Sequence, residues 1–247
     1  MKRANNSSLQ SGGGGLRLLF QPIVSLDGGA AALIETDLEI DDKKAGLIRS
    51  DEYFEIADMS RRAIGLWDVW LEKTAEAYVG FKERFTHDCI FVMRLSAKQL
   101  ENKTDYPQML KAIHYSDIPF RNLCFRLKIS PGITDAFTQL RKLGAKIMLD
   151  DDYDRYGGLD LLSHYSFDFI RLHRRSINVI DDERAARVFA GYVEICRKFK
   201  TETVVSNVSD RGDIDRLKGL GVTLISGPAI KRPQRTITEK MLNFTNI

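Results

Sequence analysis

The sequence predicts an α/β fold, a modified TIM-type (β/α)8 barrel whose first strand runs antiparallel to the others. Three observations carry this. Eight short β-rich runs alternate with longer stretches of helical spacing, the pattern of successive βαβ units. A length of 247 residues suits one such barrel as a single large domain. The first two runs are joined only by Ser25 to Ala30, and Asp27-Gly28-Gly29 within that link suits a hairpin and not a helical crossover.

Taken in order, residues 1–15 are polar and end in Ser11-Gly12-Gly13-Gly14-Gly15. Such a segment buries too little apolar surface to order itself, so it is expected to be a flexible tail or linker ahead of a barrel domain spanning 16–247. The runs predicted as strands are 18–24, 31–38, 89–96, 123–129, 145–151, 169–173, 203–208 and 223–228. Between them, Ile64, Leu66, Trp67, Trp70, Leu71 and Tyr78 recur at helical spacing, as do apolar positions from Ala185 to Phe199. Ile214, Leu217 and Leu220 close a third such segment before Gly221, a helix stop. Trp67 and Trp70 read as helix-packing anchors.

A hydrophobic content of 43% with 29% charged residues excludes a mainly disordered, collagen-like or disulfide-framework chain. The excess of 37 basic over 34 acidic residues is too slight to direct the protein to nucleic acid, and none is expected. Cys89, Cys124 and Cys196 are odd in number, far apart and set in apolar segments, as reduced thiols in a cytoplasmic protein would be. No run approaches the roughly 18 apolar residues of a membrane helix, so no span is expected.

The charges are more informative by position. With a period of two, 123–129 places Cys124, Arg126 and Lys128 opposite Leu123, Phe125, Leu127 and Ile129. The same period aligns Phe169, Arg171 and His173, and also Val92, Arg94 and Ser96. It groups Glu35, Asp37 and Glu39, and the fifth run ends in Asp150-Asp151-Asp152. Barrel chemistry gathers at the C-terminal strand ends, so a mixed-charge cluster is expected at the mouth. The carboxylates alone would suit magnesium and two-metal hydrolysis of a phosphodiester. Guanidinium groups offer no lone pair to a metal and compete for its carboxylates. Three arrangements therefore stand beside one another: arginines paired with Glu35, Asp150 and Asp151 in place of metal, an anion pocket built on Arg94, Arg126 and Arg171, and an intact metal site. The high cost of unpaired buried charge favours the first. His173 is expected to be a hydrogen-bonded structural residue, and the loop from Tyr153 to Gly158 to be solvated or a protein contact.

Several motifs follow one another along the chain: Gln21-Pro22-Ile23-Val24, Glu35-Thr36-Asp37-Leu38-Glu39, FVMRLSAKQL from Phe91, Leu123 to Ile129, DDDYDRYGGL from Asp150, and Ser226-Gly227. Together, from about Leu18 to Pro233, they resemble the EAL domain, a barrel family of cyclic diguanylate phosphodiesterases and inactive relatives. The resemblance implies that Gln21, Glu35, Asp150 and Asp151 are a vestige of the family site, with the last three standing at metal-ligand positions. It also implies that Arg94 replaces a ligand asparagine, Arg126 a ligand glutamate, Ile129 a second glutamate, and Ser206 and Ser209 the late glutamates. Arg171 and His173 then occupy the family's Lys-x-Asp, Ser226 replaces a glutamine, and Glu39 replaces an arginine that meets phosphate. On these grounds the chain is expected to be catalytically inactive, to hold no metal or cofactor, and to act through a protein partner, with a homodimer as one option. Cyclic diguanylate is not expected to bind, because Glu39 would repel it. A non-hydrolysing nucleotide receptor using the three arginines and an active phosphodiesterase are the alternatives.

Overall fold

The computed structural model describes residues 15–31, 33–42, 44, 46–50, 53, 63–86, 88–102, 104–128, 134–151, 157–173 and 182–244. Residues 1–14 of the expected linker, Ile129, Asp152 and the loop residues 153–156 lie outside them.

Within this range the β-branched and aromatic runs form strands β1 (Leu16–Ser25), β2 (Gly29–Ala30), β3 (Leu33–Asp42), β4 (Gly46–Ile48), β5 (Ile90–Arg94), β6 (Leu123–Leu127), β7 (Lys146–Asp151), β8 (Phe169–His173), β9 (Glu202–Ser206), β10 (Leu224–Ile225) and β11 (Asn243–Phe244). The helices that cross between them are α1 (Ala63–Arg84), α2 (Ala97–Glu101), α3 (Asp105–His114), α4 (Thr134–Lys142), α5 (Gly157–His164), α6 (Glu183–Lys198) and α7 (Gly212–Gly219). Strands β3, β5, β6, β7, β8, β9 and β10 pair in parallel, and β1 closes the barrel by pairing antiparallel with β3 on one side and β10 on the other. The fold is the eight-stranded modified barrel that the alternation predicted, antiparallel first strand included. Strand β4 extends the sheet beyond β3, and β2 pairs with β11.

Element ends differ where local chemistry competes with the strand. The expected strand 89–96 stops at Arg94 because Ser96 instead caps α2: its hydroxyl accepts from the Gln99 amide, and the Gln99 side chain accepts from the Ser96 amide. The strand at 203–208 stops at Ser206 because Asn207 adopts a left-handed φ of 61°. The second strand begins later than expected, at Leu33, and runs on to Asp42. No described helix is long and apolar enough to cross a membrane.

Two apolar layers follow from the alternation of the strands. On the outer face, Ile34, Phe91, Phe125, Ile147 and Ile170 pack against helices, with Trp67 and Trp70 of α1 fully buried among them. Trp70 also donates from Nε1 to Thr36 Oγ1 at 3.0 Å, so the tryptophans are core anchors as expected. On the inner face, Ile23, Leu33, Val92, Cys124, Met148, Phe169, Val204 and Leu224 form a plug with one residue from each barrel strand. The interior is thus packed and not a pore.

Candidate functional site at the barrel mouth

The plug fixes what lies above it. Because side chains alternate, the next inward position on each parallel strand is two residues further on, and on antiparallel β1 it is two residues back. Those positions are Gln21, Glu35, Arg94, Arg126, Asp150, Arg171, Ser206 and Ser226. All eight were singled out from the sequence. They form one layer at the C-terminal end of the barrel, with an apolar floor beneath.

Two guanidiniums and two carboxylates of this layer close on one another. Arg126 Nη1 lies 2.5 Å from Glu35 Oε1, and Arg126 Nε lies 3.7 Å from Asp150 Oδ2. Arg171 Nη1 donates to Asp150 Oδ1 at 3.0 Å, and Arg171 Nη2 lies 3.6 Å from Glu35 Oε1. The Arg126 and Glu35 side chains are only 9% and 11% exposed, so the pairing satisfies charges that water does not reach. Burial alone would raise the Asp150 carboxyl, but Arg126 and then Arg171 overcome it and hold it at about 2. The four charges sum to zero.

The structure revises the expected role of Asp151 and places Arg94, Arg171 and Glu39 around the cluster. Arg171 is a second guanidinium reaching Glu35 and Asp150. Arg94 sits beside Arg126 in register on β5, with its carbonyl accepting from Trp67 Nε1 at 3.3 Å. Asp151 is not part of the ring, because alternation turns it to the outer face of β7, where Tyr192 Oη of α6 donates to its Oδ2 at 2.6 Å. Gly158 makes that contact possible: a Cβ there would fall under 3.0 Å from both Asp151 Oδ2 and Tyr192 Oη. Glu39 is buried at 8%, four residues along β3 from Glu35, and does not line the cavity at the mouth.

That cavity holds about 140 Å³ and is lined in part by Gln21, Glu35, Arg126, Arg171 and His173. Gln21 Nε2 donates to the Lys231 carbonyl at 2.9 Å. His173 Nε2 meets Asn207 Nδ2 at 2.6 Å, a structural hydrogen bond of the expected kind. Ser206 Oγ donates to the Leu172 carbonyl at 3.2 Å and Ser226 is buried, whereas Ser209 is exposed on the following loop. Arg49, Ser50 and Asn207 also line the cavity and were not anticipated. Ser50 Oγ donates to Asp37 Oδ1, and Arg49 Nε lies 3.9 Å from Asp37 Oδ2. The isolated Arg-Ser pair before α1 carries no periodic signal, but its spacing from the acidic end of β3 could have marked it.

A pair of magnesium ions does not fit this donor set. Among the described residues no group of three or more His, Cys, Asp or Glu is placed to hold a metal. Glu35 and Asp150 already share Arg126, whose fixed positive charge lies where an ion would bridge them. Asp151 faces the other side of its strand.

Comparison with known proteins gives a consistent picture. A family model described as EAL domain matches residues 5–233. The cyclic di-GMP phosphodiesterase PdeB of Shewanella oneidensis is 23% identical over 227 residues, which cover 89% of this chain and 26% of that protein. Among solved structures, the PaMucR phosphodiesterase in complex with c-di-GMP shares the fold at a TM-score of 0.80 and 20% identity, over 92% of this chain and 94% of that one. The EAL enzyme Bd1971 in its cAMP- and cyclic-di-GMP-bound form shares it at 0.78 and 18%, over 91% of this chain and 63% of that one. The chain therefore spans about a quarter of the curated relative's length.

Proposed function

The chain belongs to the EAL domain family, and from that premise we propose that it is a non-hydrolysing member that regulates cyclic diguanylate-related signalling by binding another protein. One observation carries the inactivity: Arg126 stands between Glu35 and Asp150, the carboxylates that the family resemblance assigns to metal. Displacing that guanidinium to admit an ion would strand its own buried charge, a cost of several kcal/mol on the order of that for other uncompensated buried ions. With Asp151 held by Tyr192, the remaining carboxylates cannot supply the ligands that two hard cations need. The test is incubation with cyclic diguanylate and magnesium or manganese. No linear product above a Glu35→Ala control is expected, and turnover above that control overturns the proposal.

A receptor that binds cyclic diguanylate without hydrolysis is the second reading. What favours it is that PaMucR and Bd1971, which share the fold, are described with that nucleotide bound. Glu39 also lies outside the residues that line the cavity. Against it, Arg126 and Arg171 already have carboxylate partners, and about 140 Å³ is below the roughly 300 Å³ at which pockets usually enclose a ligand. Calorimetric titration with cyclic diguanylate at low salt separates the two. A flat trace leaves the protein-binding role, and saturable heat establishes the receptor.

A further inference from the structure

A second hollow lies on the outer flank of the barrel, away from the mouth. It encloses about 400 Å³ between α1, β1 and the segment 235–237, within the roughly 300–1,000 Å³ of small-molecule sites. Its apolar surface comes from Leu18, Phe20, Phe81, Phe85 and Ile237. The far wall is fixed, because Gln234 exchanges both backbone hydrogen bonds with Phe20, at 2.7 and 2.9 Å. The hollow is therefore built from a barrel strand, a 22-residue helix and a segment tied to that strand.

Its rim is cationic. Lys73, Arg84 and Arg235 line it against a single carboxylate, Glu76. Among the described residues none of the three cations has a carboxylate within ion-pair distance. The acids of α1 do not neutralise them, since Asp68, Glu72 and Glu83 line the groove on the helix's other side. The Arg84 guanidinium carbon stands 5.2 Å from the Phe85 ring centroid, which holds the planar fork beside the aromatic surface. Aromatic walls with Arg84 and Arg235 on the rim are complementary to a molecule that is apolar along its body and anionic at its end.

We propose that this hollow is a binding site for a small amphipathic anion, an acyl or aryl body bearing one carboxylate or phosphate. The site shares no residue with the barrel mouth, so it stands whether or not the mouth binds a nucleotide. Isothermal titration of the full chain with decanoate, kept below its micellar concentration, tests it, with decyltrimethylammonium as the same tail carrying the opposite charge. Saturable binding of decanoate is expected, with the cation at least about tenfold weaker. The double variant Arg84→Gln, Arg235→Gln alters two exposed side chains, so an unchanged Tm is expected alongside about tenfold weaker decanoate binding. No saturable heat up to about 1 mM decanoate, equal binding of the cation, or full affinity in the double variant overturns the proposal.

Discussion

Replacing Arg126 with methionine removes the guanidinium while keeping an unbranched apolar stem on β6. In the native ring Arg126 and Arg171 hold Asp150 at about 2 against an ordinary value of 3.8, so the ionised carboxylate stabilises the fold at neutral pH. The variant leaves Arg171 alone to serve two buried carboxylates, at 3.0 Å from Asp150 and 3.6 Å from Glu35. Removing one partner of a buried pair costs about 3–5 kcal/mol, and the surviving arginine reduces that to roughly 2–4 kcal/mol. For a chain of this size the loss appears as a fall in Tm of about 5–12 °C. The pH dependence has a definite sign. A depressed carboxyl contributes its stability above the unfolded-state pKa of about 3.9 and loses it as pH falls through about 2. The difference between native and variant protein is therefore largest above pH 4 and narrows toward pH 2. Urea denaturation at pH 7 and pH 3, with a carbon-13 titration of the Asp150 carboxyl, measures both parts. A loss below about 0.5 kcal/mol at pH 7, or Asp150 titrating near 3.8 in the native chain, would refute the closed charge ring.

Three other outcomes are expected. Gly158→Ala drives a methyl group into the Asp151 to Tyr192 hydrogen bond and should cost about 2–3 kcal/mol in urea denaturation, against about 1 kcal/mol for Tyr192→Phe, which removes the hydroxyl without adding volume; equal costs would mean that the contact has room to spare. Gly227 has φ of +144° and faces the Val208 backbone, so Gly227→Ala should lose more than about 3 kcal/mol or fail to accumulate as folded protein, and a variant with native Tm would contradict the geometry. Burial pushes the Cys89 thiol up to about 12, Cys196 to about 11 and Cys124 well above its ordinary value. Ellman's reagent at pH 8 should therefore find almost no reactive thiol in the folded chain and three after denaturation, and rapid labelling of the folded chain would refute it.

The strands were legible because each carries two independent signals, β-branched composition and period-two alternation, and the barrel needs both faces apolar below the mouth. The site layer was legible for the same reason: once Val92, Cys124, Met148 and Phe169 are placed inward, Arg94, Arg126, Asp150 and Arg171 must follow two residues later. Which arginine pairs with which carboxylate was not legible. That depends on the lateral order of strands and on rotamers, so the contacts of Arg126 and Arg171 with Glu35 and Asp150 emerged only once β8 was found beside β7 and β5 two strands away, beside β6. The fate of Asp151 was open to the alternation argument, since adjacent residues on a strand face opposite ways, but its partner Tyr192 lies 41 residues away on α6. Arg49 and Asn207 come from connecting segments, where no periodicity exists to point them inward.

On the proposed function, the composition of the mouth also separates loss of chemistry from loss of fold. Simple loss of a metal site would leave Glu35 and Asp150 as buried like charges, which destabilise the barrel as they repel one another. Arg126 and Arg171 cancel both charges on the spot and in hydrogen-bonding geometry. A chain that needed only to fold could as well have carried apolar residues at all four positions, since replacing a buried ion network by hydrophobic side chains is often neutral or stabilising. Keeping two acids and countering them with guanidiniums fixes a particular arrangement of strand ends at the mouth. On the proposed function, a partner docking on the mouth meets strand ends held by the ring of Arg126, Arg171, Glu35 and Asp150 and not by an exchangeable ion.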